Sequence, residues 1–427
     1  MKTLMFSILV AACAMSVSSQ ELSDLYKKGT IRLIPDEEYA AGTNWDEVFR
    51  TYYDTLYGRP MGTRKSLRIM PDGSVVVNHA YRNYYTKFSP DGEFEKEFGI
   101  INSSGRKFER INSIEGIINN NTFFTGLDNA GNMIFFDFNG NYVKTLKLDY
   151  MARQMIPLPN NKIAVVGRVI WQTQFRDFAA IVDYETNDQE IIWDHFTERY
   201  DITKQNHSLF HYSYTFKEGG GFGITTMPFA KSTGISSPLQ IASIENNLII
   251  AVPTTGEILV YDFEGNLKSS EKIEWGLNYI SVEEQKEIQQ NAINRYKNIK
   301  DPKFVDWVSP EESKKAIESI IKQMEADLNR ISEPLPIPVF STIIKDSDDN
   351  LLFFEYPEEE NANKFNVWIY GKTGKFVGQS SFVCDDYNLE INPSKMVFHN
   401  GYIYSLQLLK EAKGVPLRLV KFKITND

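Results

Sequence analysis

Two kinds of turn alternate along most of this 427-residue chain, and that alternation restricts the fold more than any other feature. The first kind is rich in Asn, Asp and Gly and leads at once into a short apolar run. It occurs at Pro71-Asp72-Gly73, Asn119-Asn120-Asn121, Asn160-Asn161, Glu245-Asn246-Asn247, Asp348-Asp349-Asn350 and Asn400-Gly401. The second kind closes a run that carries aromatics, as in Ser89-Pro90-Asp91-Gly92, Asp137-Phe138-Asn139-Gly140-Asn141, Asp183 to Asp188, Asp262-Phe263-Glu264-Gly265-Asn266 and Gly371-Lys372-Thr373-Gly374. Asn and Gly recur because tight hairpins need positive φ, which these residues adopt at least strain. One turn of each kind links four short strands, A to D, into an up-and-down meander. Six turns of the first kind predict six such sheets. Repeated four-stranded antiparallel sheets mark an all-β, six-bladed antiparallel β-propeller, here over residues 20–427.

The last repeat lacks a fourth strand. Arg418 to Ile424 reads as its strand C, and an open edge would remain beside it. The isolated strand Thr30-Ile31-Arg32-Leu33-Ile34 stands before the first repeat, so residues 30–35 are expected to complete the last blade. Two stretches break the β pattern. Residues 281–333 predict a helical hairpin inserted within the propeller. Ser281 with Glu284 forms one capping box, and Ser309-Pro310-Glu311-Glu312 forms another with Pro at the first helical position. Ile317, Ile320, Ile321, Met324 and Leu328 give the second helix an apolar face. The other stretch, 196–238, is long, aromatic and Gly-rich.

A short basic start, an apolar run from Thr3 to Ala14 and small residues ending Ser18-Ser19 predict a secretory signal over 1–19. The competing reading takes Val10-Ala11-Ala12-Cys13 as a lipobox, with Cys13 lipidated. Either way the expectation is an exported protein, periplasmic or extracellular. Later apolar runs are too short to span a bilayer. Cys13 and Cys384 are the two cysteines. Cleavage after Ser19 leaves Cys384 alone, without a disulfide partner and read as a small buried hydrophobe. The net charge of -10 and the lack of a basic stripe argue against nucleic acid.

On Ser18-Ser19-Gln20, on Pro90-Asp91-Gly92-Glu93-Phe94 and on Val260-Tyr261-Asp262-Phe263-Glu264-Gly265-Asn266, the chain resembles the secreted six-bladed β-propellers of the Bacteroidetes, related in style to NHL and TolB-like propellers. The resemblance covers nearly the whole mature chain. It rests on turn chemistry, so it implies a fold and an exported location but no reaction.

In such meanders the A–B and C–D turns share one end of each sheet, and the B–C loops and crossovers share the other. The long segments, 78–84, 166–177, 196–238, 275–338 and 355–365, all belong to the second end, where binding is expected. Arg168, Trp171, Gln172 and Arg176 combine a stacking plane with charged donors, which suits a carbohydrate or a peptide. His79, Tyr81 and Arg82 occupy the corresponding loop of the first blade. His211 and Tyr212 lie in the aromatic stretch, with His207 four residues earlier. On a strand that spacing sets the two His side chains too far apart for one metal. Asp346, Asp348, Asp349 and Asn350 imitate a calcium loop, but Leu351 and Pro357 stand where that loop needs Gly and Glu, so a solvated turn is expected. No Gly-x-Ser-x-Gly, Walker loop or dinucleotide fingerprint occurs, and no catalytic residue, metal ligand or cofactor is predicted. The inner strands read as mostly apolar. The sequence therefore favours a non-enzymatic binding propeller that takes a carbohydrate, a peptide or an envelope protein. The alternative is a metal-dependent propeller hydrolase or lyase with its site in the central channel.

Overall fold

The computed structural model describes residues 22–49, 53–54, 59–60, 66–78, 84–99, 114–118, 122–126, 132–148, 150–170, 174–198, 210–217, 221–226, 239–253, 255–273, 279–299, 308–336, 338–356 and 363–426. The expected signal segment, with Cys13, lies outside them.

Helix α1 (Leu22–Tyr26) and strand β1 (Thr30–Pro35) come first, then the one-turn helix α2 (Trp45–Val48) and the short pair β2 (Tyr53–Asp54) and β3 (Arg59–Pro60). The first four-stranded sheet is β4 (Ser66–Ile69), β5 (Val75–Asn78), β6 (Tyr84–Phe88) and β7 (Phe94–Gly99). The second is β8 (Ile114–Ile118), β9 (Thr122–Gly126), β10 (Asn132–Asp137) and β11 (Tyr142–Lys147). The third is β12 (Met151–Leu158), β13 (Lys162–Ile170), β14 (Gln174–Asp183) and β15 (Gln189–Glu198). A separate hairpin follows, β16 (Phe210–Thr215) with β17 (Gly221–Thr226). The fourth sheet is β18 (Gln240–Ile244), β19 (Asn247–Val252), β20 (Glu257–Asp262) and β21 (Leu267–Lys272). Next come β22 (Tyr279–Ile280), helices α3 (Val282–Lys297) and α4 (Pro310–Leu328), and β23 (Leu335–Pro336), which pairs with β22. The last, nine-stranded sheet joins two groups. One is β24 (Thr342–Lys345), β25 (Leu351–Phe354), β26 (Lys364–Tyr370) and β27 (Phe376–Val383). The other is β28 (Tyr387–Asn388), β29 (Met396–His399), β30 (Tyr402–Leu409) and β31 (Leu417–Asn426).

The chain is thus mainly β, built of antiparallel meanders in sequence order. First strands of successive sheets touch: β4 with β8, β8 with β12, β12 with β18, β18 with β24, and β29 with β4. Apolar clusters fill the wedges between sheets. One joins the first sheet to the second through Met70, Val76, Tyr85, Phe98, Phe123 and Phe136. Another joins the fourth sheet to β24 and β25 through Ile249, Ala251, Ile343, Leu351 and Phe353.

The turn chemistry is a repeated device. Asp137 Oδ1 accepts from the backbone N–H groups of Asn139 and Asn141, both at 2.8 Å, while Asn141 Nδ2 donates to Asp137 Oδ2. Asp262 holds Glu264 and Asn266 in the same way. So does Asp346 with Asp348 and Asn350, which identifies the calcium-loop look-alike as a third copy of this turn. Gly140 and Gly265 sit at φ 89 and 87, and the ladder slips by one residue between Phe135 and Phe136 and between Val260 and Tyr261. A turn that ends in a left-handed Gly and a bulge produces this slip.

Strand β1 pairs antiparallel with β31, from Ile31 opposite Asn426 to Pro35 opposite Phe422, and parallel with β27, Ile31 opposite Phe382. Alternation buries Ile31 and Leu33. Helix α1 anchors the approach. Leu22 N donates to Asp348 Oδ2 at 2.7 Å, and Tyr26 Oη donates to Asp346 Oδ2 at 2.8 Å. Past β1, Asp36 is held between Lys421 (3.1 Å) and Lys423 (3.7 Å). Burial raises the Asp36 carboxyl pKa, but the two ammonium groups, Lys421 first, bring it below the ordinary carboxylate value. Cys384 is fully buried, and its thiol is pushed upward by burial.

The two long crossovers meet. Ser281 and Ser309 cap α3 and α4 by accepting from Glu284 N and Glu312 N, with Pro310 in the first turn. Hairpin β16–β17 packs on these helices. Tyr212 joins Ala292, Ile293, Ile320 and Met324 in one cluster, Gln289 donates to its hydroxyl, and Tyr214 Oη donates to Glu312 Oε1 at 2.9 Å.

Candidate binding face

Because each sheet is a meander in chain order, its B–C end carries the last residue of strand B and the first of strand C. In the third sheet the strands are long, and this corrects one sequence expectation. Residues 166–177 are not a loop: β13 runs to Ile170 and β14 starts at Gln174. Gly167, inside that expected loop, serves a close approach instead. A Cβ there would meet the Phe178 ring at 2.5 Å and the Tyr150 ring at 2.8 Å. Those two rings contact each other edge to face at 4.4 Å.

The extended ladder sets Asp177 on β14 directly opposite His195 on β15, and Arg168 on β13 holds the register position opposite Asp177. Asp177 is 4% exposed. Two residues along β15, Trp193 stacks with His195 at 6.1 Å and 30°. On the opposite face, Arg176 donates through Nε (3.0 Å) and Nη2 (2.7 Å) to Asp194 Oδ2. Sequence reasoning does not single out Asp177, Trp193, Asp194 or His195. Their signal is the register of the long strands, which only the paired structure supplies.

Of the residues expected to bind, His79, Arg82 and Trp171 lie outside the described residues, as does His207. Arg168 is placed as above, and His211 is opposite Thr225 on the β16–β17 hairpin. Tyr212 is 1% exposed, its ring locked between the hairpin and the helices. It is an internal packing residue in this structure, because the helices that cover it leave no mark on its own stretch of sequence.

Beneath the first B–C loop, which carries His79 and Arg82 in sequence, the wedge between the first two sheets is polar. Ser66 and Asn78 pair across β4 and β5, Asn78 pairs with Tyr85 on β6, and all three are at most 1% exposed. Arg68 on β4 reaches across to the second sheet, donating through Nε (3.1 Å) and Nη2 (2.9 Å) to the Glu115 carbonyl. Glu115 occupies a bulge in β8, between Ile114 and Gly116. A bulge of this kind re-aims a side chain.

The first strands, mostly apolar in sequence, do carry polar side chains, but these clasp groups of the next sheet. Gln154 on β12 both donates to Ile241 O (3.0 Å) and accepts from Ile241 N (2.9 Å) on β18. Gln240 on β18 accepts from Thr342 Oγ1 on β24 at 3.4 Å. Among the described residues, no three His, Cys, Asp or Glu side chains gather as a metal-binding group, and no helix is long and apolar enough to cross a membrane.

No protein-family model matches the chain, and no curated protein matches it. Solved structures similar to it include a member of the DUF4221 family from Bacteroides vulgatus, with TM-score 0.49 and 11% identity over 94% of this chain and 100% of that one. A Bacteroides fragilis protein named provisionally as exported gives TM-score 0.43 and 11% identity, over 90% of this chain and 86% of that one. A streptogramin B lyase gives TM-score 0.35 and 11% identity, over 85% of this chain and 93% of that one. These values tie the chain to none of their activities.

Proposed function

We propose that the sheets form the six blades of one propeller, the last completed by β1 and the ring carrying α3–α4 as an insertion, and that this exported protein binds a carbohydrate or peptide at the B–C end of its blades without catalysis. The observation that carries the binding reading is Asp177 opposite His195, with Trp193 stacked on His195, on the long strands toward the B–C end of the third sheet. An aromatic plane beside polar groups can both stack and hydrogen-bond, a combination enriched at recognition sites. Arg168, Trp171, His79 and Arg82 are the proposed contacts, the last three by their place in the B–C loops. Export rests on the segment over 1–19.

The non-catalytic reading is favoured over the channel enzyme by how the first-strand side chains are used. Arg68, Gln154 and Gln240 are bonded to backbone or side-chain groups of the adjacent sheet. Releasing them to bind substrate would leave buried partners unsatisfied, at about 1–3 kcal/mol each.

The test is a glycan and peptide array probed with the mature protein, followed by Trp171→Ala and Arg168→Ala. Each variant is expected to keep its melting temperature and lose about 2 kcal/mol of binding, roughly thirtyfold. A lower melting temperature with binding intact would make Trp171 a packing residue only.

A further inference from the structure

The Tyr85 side chain is 1% exposed, yet its Oη has no hydrogen-bond partner among the described residues. Its ring is fixed by Phe98, stacked at 5.6 Å, and by Phe123, edge-on at 5.5 Å, so the hydroxyl cannot swing to solvent by a small rotation. Burial first, and the nearby Glu115 carboxylate second, push the phenol well above its ordinary range. The group is therefore a neutral O–H at every physiological pH. The same carboxylate acts on Arg68, whose guanidinium gives its hydrogen bonds to the carbonyls of Leu67 and Glu115. Tyr85 thus lies buried in the wedge between the first two sheets, in the row of Asn78 and Ser66, and Arg68 two positions along β4 crosses that wedge to the Glu115 carbonyl.

A buried phenol left without a partner costs about 1–3 kcal/mol, which a fold rarely leaves uncorrected. The guanidinium of Arg68 is taken up by the carbonyls of Leu67 and Glu115, so the neutral Tyr85 hydroxyl is the donor left for an incoming group, and a neutral oxygen suits it.

We propose that this wedge is a binding site for a hydroxyl oxygen, which accepts from Tyr85 Oη. The oxygen comes from water or from an alcohol group of a sugar or polyol entering from the B–C end. The second source rests on the binding-face reading above. The first does not.

The test is a crystal structure of the full mature protein at a resolution that shows ordered water, alone and with methyl α-D-glucopyranoside, together with the Tyr85→Phe variant. An oxygen within about 2.6–3.2 Å of Tyr85 Oη is expected, and it should be missing in the variant. If the sugar leaves that oxygen unmoved, the site is a water site; if a sugar hydroxyl replaces it, the site is part of the binding face. Both outcomes support the proposal, and the first does so even where the face binds no sugar. The proposal is overturned if no oxygen lies beside Tyr85 Oη, if Oη bonds a protein group instead, or if the oxygen persists unchanged in Tyr85→Phe.

Discussion

The wedge between the first two sheets and the wedge between the fourth sheet and β24–β25 have the same architecture and opposite chemistry at their B–C ends. The latter is closed by apolar groups and a self-satisfied polar pair: Phe353 contacts Phe340 at 5.2 Å, and Thr342 donates to Gln240. The former carries Ser66, Asn78, Arg68, Glu115 and a phenol unpartnered among the described residues. Equal burial with unequal satisfaction separates the two. Where every polar atom is paired inside the protein, the wedge is cement. Where a buried hydroxyl such as that of Tyr85 has no partner among the described residues, the wedge can take something in.

Substitutions can break this comparison. The largest effect is expected from Phe353→Ala in the apolar wedge, about 3–5 kcal/mol of stability by chemical denaturation, because a fully buried ring is removed. Tyr85→Phe in the polar wedge should change stability by less than about 1 kcal/mol, the range of one modest hydrogen bond. Equal losses would erase the distinction.

Gln154→Leu sharpens it from the side of the clasps. The substitution leaves Ile241 N–H and C=O unpaired while keeping side-chain volume, and about 2 kcal/mol of stability should be lost. A neutral result would mean that the first strands do not need their side-chain stitches, and it would favour the enzyme reading.

A smaller effect should appear at acid pH. The Asp36 carboxyl is depressed in the folded chain, so its contribution is present above the unfolded carboxylate pKa of about 3.9 and is lost as pH falls through the lower folded value. Asp36→Asn should therefore reduce stability at neutral pH and flatten the decline between pH 4 and pH 2 (about the range of that titration). An unchanged acid limb would show that β1 is not held at Asp36.

Much of this is legible in the order of the amino acids. The turns are, because Asp, Asn and Gly at fixed offsets act through their own backbone, as Asp137, Asp262 and Asp346 do. The helix caps are, for the same local reason. What stays illegible depends on distant partners. Gly167 looks like the start of a loop because nothing in its neighbourhood announces the Phe178 and Tyr150 rings. Tyr212 looks like a surface aromatic because the helices that bury it lie far along the chain, at Gln289 and beyond. The register positions of Arg168, Asp177 and His195 need two strand pairings at once, and the bulge at Glu115 shifts a register by one residue with Gly116 as its local sign.

The central claim is that function resides at the B–C end. Hydrogen exchange of the mature protein, free and saturated with the strongest array ligand, tests it directly. Protection is predicted at 78–85 and 168–177, with the turns at 137–141 and 262–266 unchanged. Protection confined to those turns, with the B–C segments unaffected, would contradict it.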